Sequence, residues 1–415
     1  MNQEKSGLLL ITNGFPYGES ERSFLHAEFP RLCDNFRVHI ISLGKDEPLI
    51  YPLPGGVTAE RYAYSSLRNA KLPGRLLKLC GKPVLRELSR AKKDCSASLF
   101  RNRLRTILYT YLTACAAADD LAMVIEQKRI GTIYTYWCTT MTLAAAMLKK
   151  RFPHLKVVTR FHGYDLYQER SSIGWQPFRP YIAEHIDRLI FACETAKQYF
   201  LDTWGRQYSD RSVVSYLGCS EKQLVTPVND GILKLVSCSN LIPLKRVNLI
   251  IEALSLLPKT MQVCWHHLGD GPEMEALQNQ AHTLLDSMEN IQWKFWGFRP
   301  NDELEDIYAS IRPDVFITTS STEGLPVTVQ EAFCMGIPAI GTSVGGIPEL
   351  IIHNKTGILL PADPSAEEVS AAIRTYFDIP FPERLSLAAS ALELRRAKLN
   401  ADDNASQLSF LLQSL

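Results

Sequence analysis

Glu323 and Glu331 are the residues whose type and spacing point first to chemistry. Glu323 opens the run Glu323-Gly324-Leu325-Pro326-Val327, directly after a β-rich apolar stretch at 314–319 and a small polar loop, Ser320 to Thr322. The pattern predicts a buried strand, a glycine-containing turn, and a helix that begins near Pro326 and stops at Gly336, with Pro338 just beyond. Such a turn presents unpaired backbone N–H groups and the positive end of a helix dipole to an anion. Glu331 falls inside that helix, roughly 7–8 Å along its axis at ~1.5 Å per residue. Ionised carboxylates only accept hydrogen bonds, so beside a phosphate-binding turn they suit sugar hydroxyls rather than phosphate. Two of them at this separation fit the two sugars on either side of a diphosphate, as in a nucleotide-sugar. The plain alternative makes Glu323 a loop surface charge and Glu331 a solvated helix charge.

The run Glu-Gly-Leu-Pro-Val-Thr-Val-Gln-Glu, with its continuation through Gly336, Gly345, Gly346 and Glu349, resembles the E-x7-E segment of retaining glycosyltransferase family 4. That resemblance implies the GT-B architecture: an α/β protein of two Rossmann-like, doubly wound domains facing a cleft. It implies transfer of a hexose-type sugar, with retention, from a nucleotide-diphosphate sugar to a saccharide acceptor. In its terms Glu323, Gly324, Leu325, Pro326 and Val327 hold the donor sugar and phosphate, and Glu331 the ribose. Phe298 and Arg299 lie in the loop expected against the base. The loop Ser239-Asn240-Leu241-Ile242-Pro243-Leu244-Lys245-Arg246 matches a family loop whose Arg and Lys hold the diphosphate. Lys245 matches, Asn240 replaces the Arg, and Ser239 and Arg246 replace two glycines. Asn keeps hydrogen bonding but no charge, so Lys245, aided by Arg246, is left to stabilise the leaving group.

The first half opens as strand (8–12), loop (13–21), helix (23–33) and strand (38–43), the start of a doubly wound domain whose sites lie at strand carboxyl ends. Gly14 and Gly18 are implicated by resemblance in an acceptor or phosphate loop; for Gly18 a simple turn serves equally. The strand at 156–160 ends in Phe161-His162-Gly163-Tyr164-Asp165, where the resemblance assigns His162 a place beside the donor sugar, against the plain alternative of a loop histidine. Asp165 either orients that loop or caps a turn. Of His266 and His267, in a strand, one is expected to be a packed core residue. The catalytic set is thus His162, Glu323 and Lys245. No Asp-x-Asp stands at a strand end within a carboxylate cluster, so neither a metal nor any other cofactor is expected. Gly269-Asp270-Gly271 lacks the third glycine of a dinucleotide fingerprint, having Met274 there.

At 415 residues, two domains are the natural expectation. The boundaries fall at 1–217 for the acceptor domain, 218–232 for a linker, 233–385 for the donor domain, and 386–415 for a helical tail returning to the first domain. Apolar content of 46%, charged content of 21% and net charge +1 are those of an ordinary globular protein. The ten scattered cysteines suit a reducing cytoplasm, and no secretory signal or membrane-span run is evident. Residues 68–105 stand apart, with twelve Lys and Arg against two acidic residues and interleaved leucines. This reads as a basic amphipathic stretch for an anionic membrane surface on the inner face of the cell membrane, or as a solvated helical face. Its single aromatic, Phe100, argues against nucleic acid. The expected partners are therefore a nucleotide-sugar and a saccharide, lipid-linked, in polysaccharide biosynthesis. A nucleotide-sugar epimerase, a non-catalytic nucleotide-sugar-binding protein and, more distantly, an NAD-dependent oxidoreductase are the alternatives.

Overall fold

The computed structural model describes residues 5–18, 21–44, 47–62, 79, 81–93 and 95–415. The chain divides into two units, 1–215 with 405–415, and 216–404.

The first unit is built on seven parallel strands: β1 (Gly7–Thr12), β2 (Arg37–Ser42), β3 (Thr58–Arg61), β4 (Ile130–Thr135), β5 (Lys156–Phe161), β6 (Arg188–Phe191) and β7 (Ser212–Val214), in the order β3-β2-β1-β4-β5-β6-β7. β1 lies between β2 and β4, so the strand order reverses there, and the crevice at such a reversal is where doubly wound sheets bind ligands. β1 is buried along its whole length, as a central parallel strand covered on both faces must be.

The helix expected at 23–33 is in fact two, Arg22–Leu25 and Glu28–Asn35. Pro30 has no N–H to donate to residue 26 and its ring crowds that carbonyl, so the helix restarts with Pro30 in its first turn. The helix Ala97–Lys128 begins where the Ser96 hydroxyl accepts from Leu99 N. By length and composition alone it is long and apolar enough to cross a membrane, but 56% of its apolar stretch is buried inside the structure. Its alanines, Ala114, Ala116, Ala117, Ala118 and Ala122, allow close packing against the helix Thr140–Leu148. Of the basic stretch 68–105, residues 68–78, 80 and 94 lie outside the described residues; Lys82, Arg86, Lys92, Lys93, Arg101 and Arg105 are exposed.

The second unit carries six parallel strands: β8 (Ile232–Cys238), β9 (Gln262–Leu268), β10 (Ile291–Phe295), β11 (Val315–Thr318), β12 (Ala339–Thr342) and β13 (Gly357–Leu360), in the order β10-β9-β8-β11-β12-β13. Its core gathers Trp265 with Leu233, Leu235, Ile250, Leu254, Val315, Ile340 and Tyr376.

The expected linker has no helix or strand before β8 opens at Ile232, but it is pinned to the second unit, where Val225 N donates to Met335 O and Arg312 Nε to Thr226 O. The tail differs from expectation. The helix Phe381–Lys398 belongs to the second unit, burying Leu387 and Ala391 and donating from Arg395 to the Cys219 carbonyl at 2.9 Å. Only 405–415 joins the first unit, where Ser409 is held by Arg31 and Asn35.

Candidate functional site

In the second unit the loop after β8 and the loop after β11 are laced together. Arg246 Nε donates to Thr319 O at 2.7 Å, the Thr319 hydroxyl to Arg246 O at 2.9 Å, and Ser321 N to Leu244 O at 2.8 Å. This lacing sets Lys245 Nζ 2.6 Å from Glu323 Oε1, with the two side chains 24% and 11% exposed. Glu323 is therefore a buried, paired carboxylate and not a loop surface charge.

Arg246 sits in the left-handed region (φ 48°, ψ 42°), at the position where the resemblance expects glycine. The guanidinium is committed to the fold: Nη1 lies 2.5 Å from Asp363, and Nη2 donates to the Ala362 and Ser320 carbonyls. It ties loops together, so the expectation that Arg246 assists Lys245 with the diphosphate is corrected.

Gly324, Leu325 and Pro326 turn the chain into the helix Val327–Cys334, with Pro326 at its N-cap. The turn is braced from behind by Gly345, where a Cβ would lie 1.9 Å from Glu323 O and φ is +52°, so glycine is required there. Gly346 N also donates to Gly324 O at 2.6 Å.

Glu331 is 5% exposed, which removes the solvated-charge reading. Asn301 Nδ2 donates to its Oε1 at 2.5 Å. Burial pushes the Glu331 carboxyl above the usual range, against the opposing influence of Asn301 and Lys222.

Asn240 is exposed. The backbone around it is fixed by His267, whose Nε2 donates to Ser239 O at 3.2 Å while Nδ1 meets the Ser237 hydroxyl at 2.8 Å. Burial pushes the His267 imidazole down to about 4, so it is the core histidine of the pair. Gly269 presses on the same loop: a Cβ at this position would lie 1.9 Å from Ser239 O. Phe298 is 67% exposed, and Arg299 is tied to the Trp296 carbonyl at 3.2 Å with Glu303 at 3.7 Å.

In the first unit, the amides of the expected phosphate loop already hold an anion. Asn13 N, Gly14 N and Phe15 N donate to the Glu21 carboxylate at 3.0, 2.6 and 2.7 Å, and the Trp137 indole N–H donates to it as well. Gly14 N–H is therefore committed to Glu21. Gly18 donates to Pro48 O and sits at φ +73°, a left-handed conformation that favours glycine, which is a turn's requirement.

His162 follows β5, with Nε2 at 3.1 Å from Tyr136 O. A carbonyl can only accept, so Nε2 carries the proton and Nδ1 is the acceptor nitrogen. Burial, with Arg160 adding to it, holds the imidazole well below its ordinary range and neutral. Asp165 orients the loop, accepting from His162 N, Gly163 N and Cys138 N at 3.0, 3.1 and 2.9 Å. Arg179 fastens the Asp165 and Cys138 carbonyls at 2.6 and 2.9 Å.

Sequence reasoning missed Glu21, Trp137, Tyr164, Asn301 and the bracing role of Gly345. Only Gly345 left a signal, in its Gly-Gly turn before a helix. Among the described residues no cluster of His, Cys, Asp or Glu could hold a metal ion.

Two parallel-sheet units with loops of this kind define the GT-B fold. Residues 221–392 match the family described as Glycosyl transferases group 1. WcaL of Salmonella typhimurium, a glycosyltransferase assigned provisionally to colanic acid biosynthesis, is 30% identical over 191 residues, 44% of this chain and 45% of WcaL. The chain thus aligns with about half the length of that curated relative. Among solved structures, the lipopolysaccharide outer core galactosyltransferase WaaB superposes with a TM-score of 0.69 at 12% identity, over 99% of this chain and 100% of WaaB. Anabaena HepE in complex with UDP and glucose superposes with a TM-score of 0.66 at 17% identity, over 98% of this chain and 100% of HepE.

Proposed function

We propose that the chain is a retaining, metal-independent glycosyltransferase. It transfers a hexose-type sugar from a nucleotide-diphosphate sugar to a saccharide acceptor in polysaccharide biosynthesis. The observation that carries this reading is the Lys245–Glu323 pair at the mouth of the helix that also bears the buried Glu331. The helix N-terminus and Lys245 supply positive charge where a diphosphate would depart. Glu323 accepts from the sugar hydroxyls, and Glu331, with Oε1 already held by Asn301, offers its other oxygen to the ribose. In the first unit, His162 is proposed to serve a sugar hydroxyl through its acceptor nitrogen Nδ1.

UDP bound by HepE makes a uridine-diphosphate sugar the first donor to test. The acceptor is proposed to be lipid-linked, with the exposed cations from Lys82 to Arg105 resting on an anionic membrane at the cytoplasmic face. Because Asn240 brings no charge to the diphosphate, a non-catalytic nucleotide-sugar-binding protein is the second reading, and turnover separates the two.

The test is titration calorimetry of the full chain with UDP-, GDP-, ADP- and CDP-sugars. One donor class should bind, and Glu331→Ala should abolish it. Absence of binding to every donor overturns the proposal.

A further inference from the structure

Tyr164 lies in the loop after β5 and is 47% exposed, yet one ring face, its hydroxyl and its carbonyl are all held. Its ring stacks on Trp137 with centroids 4.9 Å apart and an interplanar angle of 26°. Asn13 Nδ2 donates to its hydroxyl at 2.5 Å, and Gln176 Nε2 donates to its carbonyl at 2.6 Å. Trp137 is fixed in turn, its indole N–H bound by Glu21 and its ring 4.3 Å from that of His162. The three rings form a row, His162, Trp137, Tyr164, anchored at the buried end by Tyr136, 4.8 Å from His162.

An aromatic ring that is immobilised but left half in water gives up conformational freedom without the full return of burial. Such an arrangement suits a surface whose burial is completed by a ligand, and its rigidity lowers the cost of binding. The row stands at the carboxyl ends of β1, β4 and β5, where the strand order reverses.

We infer that Tyr164, braced by Trp137, is a stacking platform for a pyranose ring of the acceptor saccharide. The C–H-rich face of a pyranose meets the negative face of the phenol ring. Asn13 at the rim supplies a polar group for the hydroxyls around the sugar's edge. The inference rests on the glycosyltransferase reading for calling the saccharide an acceptor, while the platform itself is a property of the first unit.

The test uses methyl β-glucopyranoside and methyl β-galactopyranoside as probes, with saturation-transfer NMR on the full chain. Wild-type protein should transfer saturation to the C–H protons of one sugar face. Tyr164→Ala should weaken binding about fivefold, the size expected for loss of one stacked ring. Tyr164→Phe keeps the ring and should bind within about twofold of wild type, which separates stacking from the Asn13 hydrogen bond. No contact with either probe, or equal binding by folded Tyr164→Ala, overturns the inference. Saccharide binding that depends on Tyr164, in a protein that binds no nucleotide-sugar, overturns the glycosyltransferase reading and leaves the platform standing.

Discussion

Lys245 Nζ and Glu323 Oε1 are 2.6 Å apart, so the two charges assigned to opposite jobs at the donor site are each other's partner before any donor arrives. On the proposed reading, a donor would insert between them or extend the pair, with phosphate on the lysine and sugar hydroxyls on the carboxylate. Lys245→Ala removes the cation and leaves Glu323 nearly buried without its partner. We expect donor turnover to fall about 100-fold or more, the range for loss of one preorganised transition-state donor. Steady-state kinetics check this, and Lys245→Ala turning over like wild type would remove Lys245 from the machinery. Lys245→Arg should not restore activity, because a planar fork cannot replace a point charge in a laced loop.

Glu331 carries a stability cost that its function would justify. Burial raises its carboxyl pKa in the folded protein, so the folded state holds the proton more tightly than the unfolded chain does. Stability from this group is greatest below the unfolded value and falls as pH rises through the folded one. Glu331→Gln keeps an acceptor for Asn301 and removes the buried charge. It should raise the melting temperature at neutral pH by a few degrees, with the gain fading as pH falls through the raised folded value and gone below about 4.3, while donor affinity falls. Melting curves across pH, paired with calorimetry of the donor, measure both. A melting temperature unchanged at pH 7 would show that the carboxylate is not strained.

Glu21 acts as the resident anion of the first loop, accepting from three consecutive amides and the Trp137 indole. Glu21→Ala leaves those donors unpaired in a buried place, at a cost of about 1–3 kcal/mol for each group that water cannot reach. The variant should melt well below wild type and be partly rescued by phosphate, which can refill the amide nest. Melting in phosphate and in chloride at matched ionic strength distinguishes the outcomes. Equal melting in the two salts would mean that the nest collapses rather than waits for an anion.

These relationships also show why the sequence discloses some parts of the site and conceals others. The strand, glycine turn and helix around Glu323 are legible because strand composition, Pro326 and Gly336 all act within a short stretch of chain. The Glu21 nest is not, since its fourth donor, Trp137, comes from the end of another strand. Asn301 is equally silent, being one amide among many until the fold sets it on Glu331. Arg246 misleads, because a cation beside Lys245 reads as a phosphate ligand, and only the carbonyls around it show it tying loops together. The split of the tail depends on Leu387 and Ala391 facing the second unit, which helical periodicity alone does not assign to a partner.

His267 couples the loop that carries Asn240 and Lys245 to pH. It is fully buried, neutral, and bonded to Ser239 O just before Asn240, with burial holding its pKa at about 4. A folded value below the unfolded one means that the unfolded chain takes up the proton first on acidification. The stability from neutral His267 is therefore complete above about 6.5 and is lost as pH falls towards 4, on the order of 3 kcal/mol across that window. His266, also pushed down to about 4 by burial and then by Lys294, adds in the same direction. His267→Asn should flatten the fall in stability between pH 6.5 and 4, at the expense of stability at pH 7 from the lost packing and hydrogen bonds. It should also weaken donor binding at pH 7, because the loop carrying Asn240 and Lys245 loses the donor that fixes its first carbonyl. Denaturant titrations at pH 7 and pH 5 give the first effect, and donor calorimetry at pH 7 the second. A variant that keeps the wild-type slope would place the acid sensitivity in other groups, such as His162, whose pKa burial also lowers.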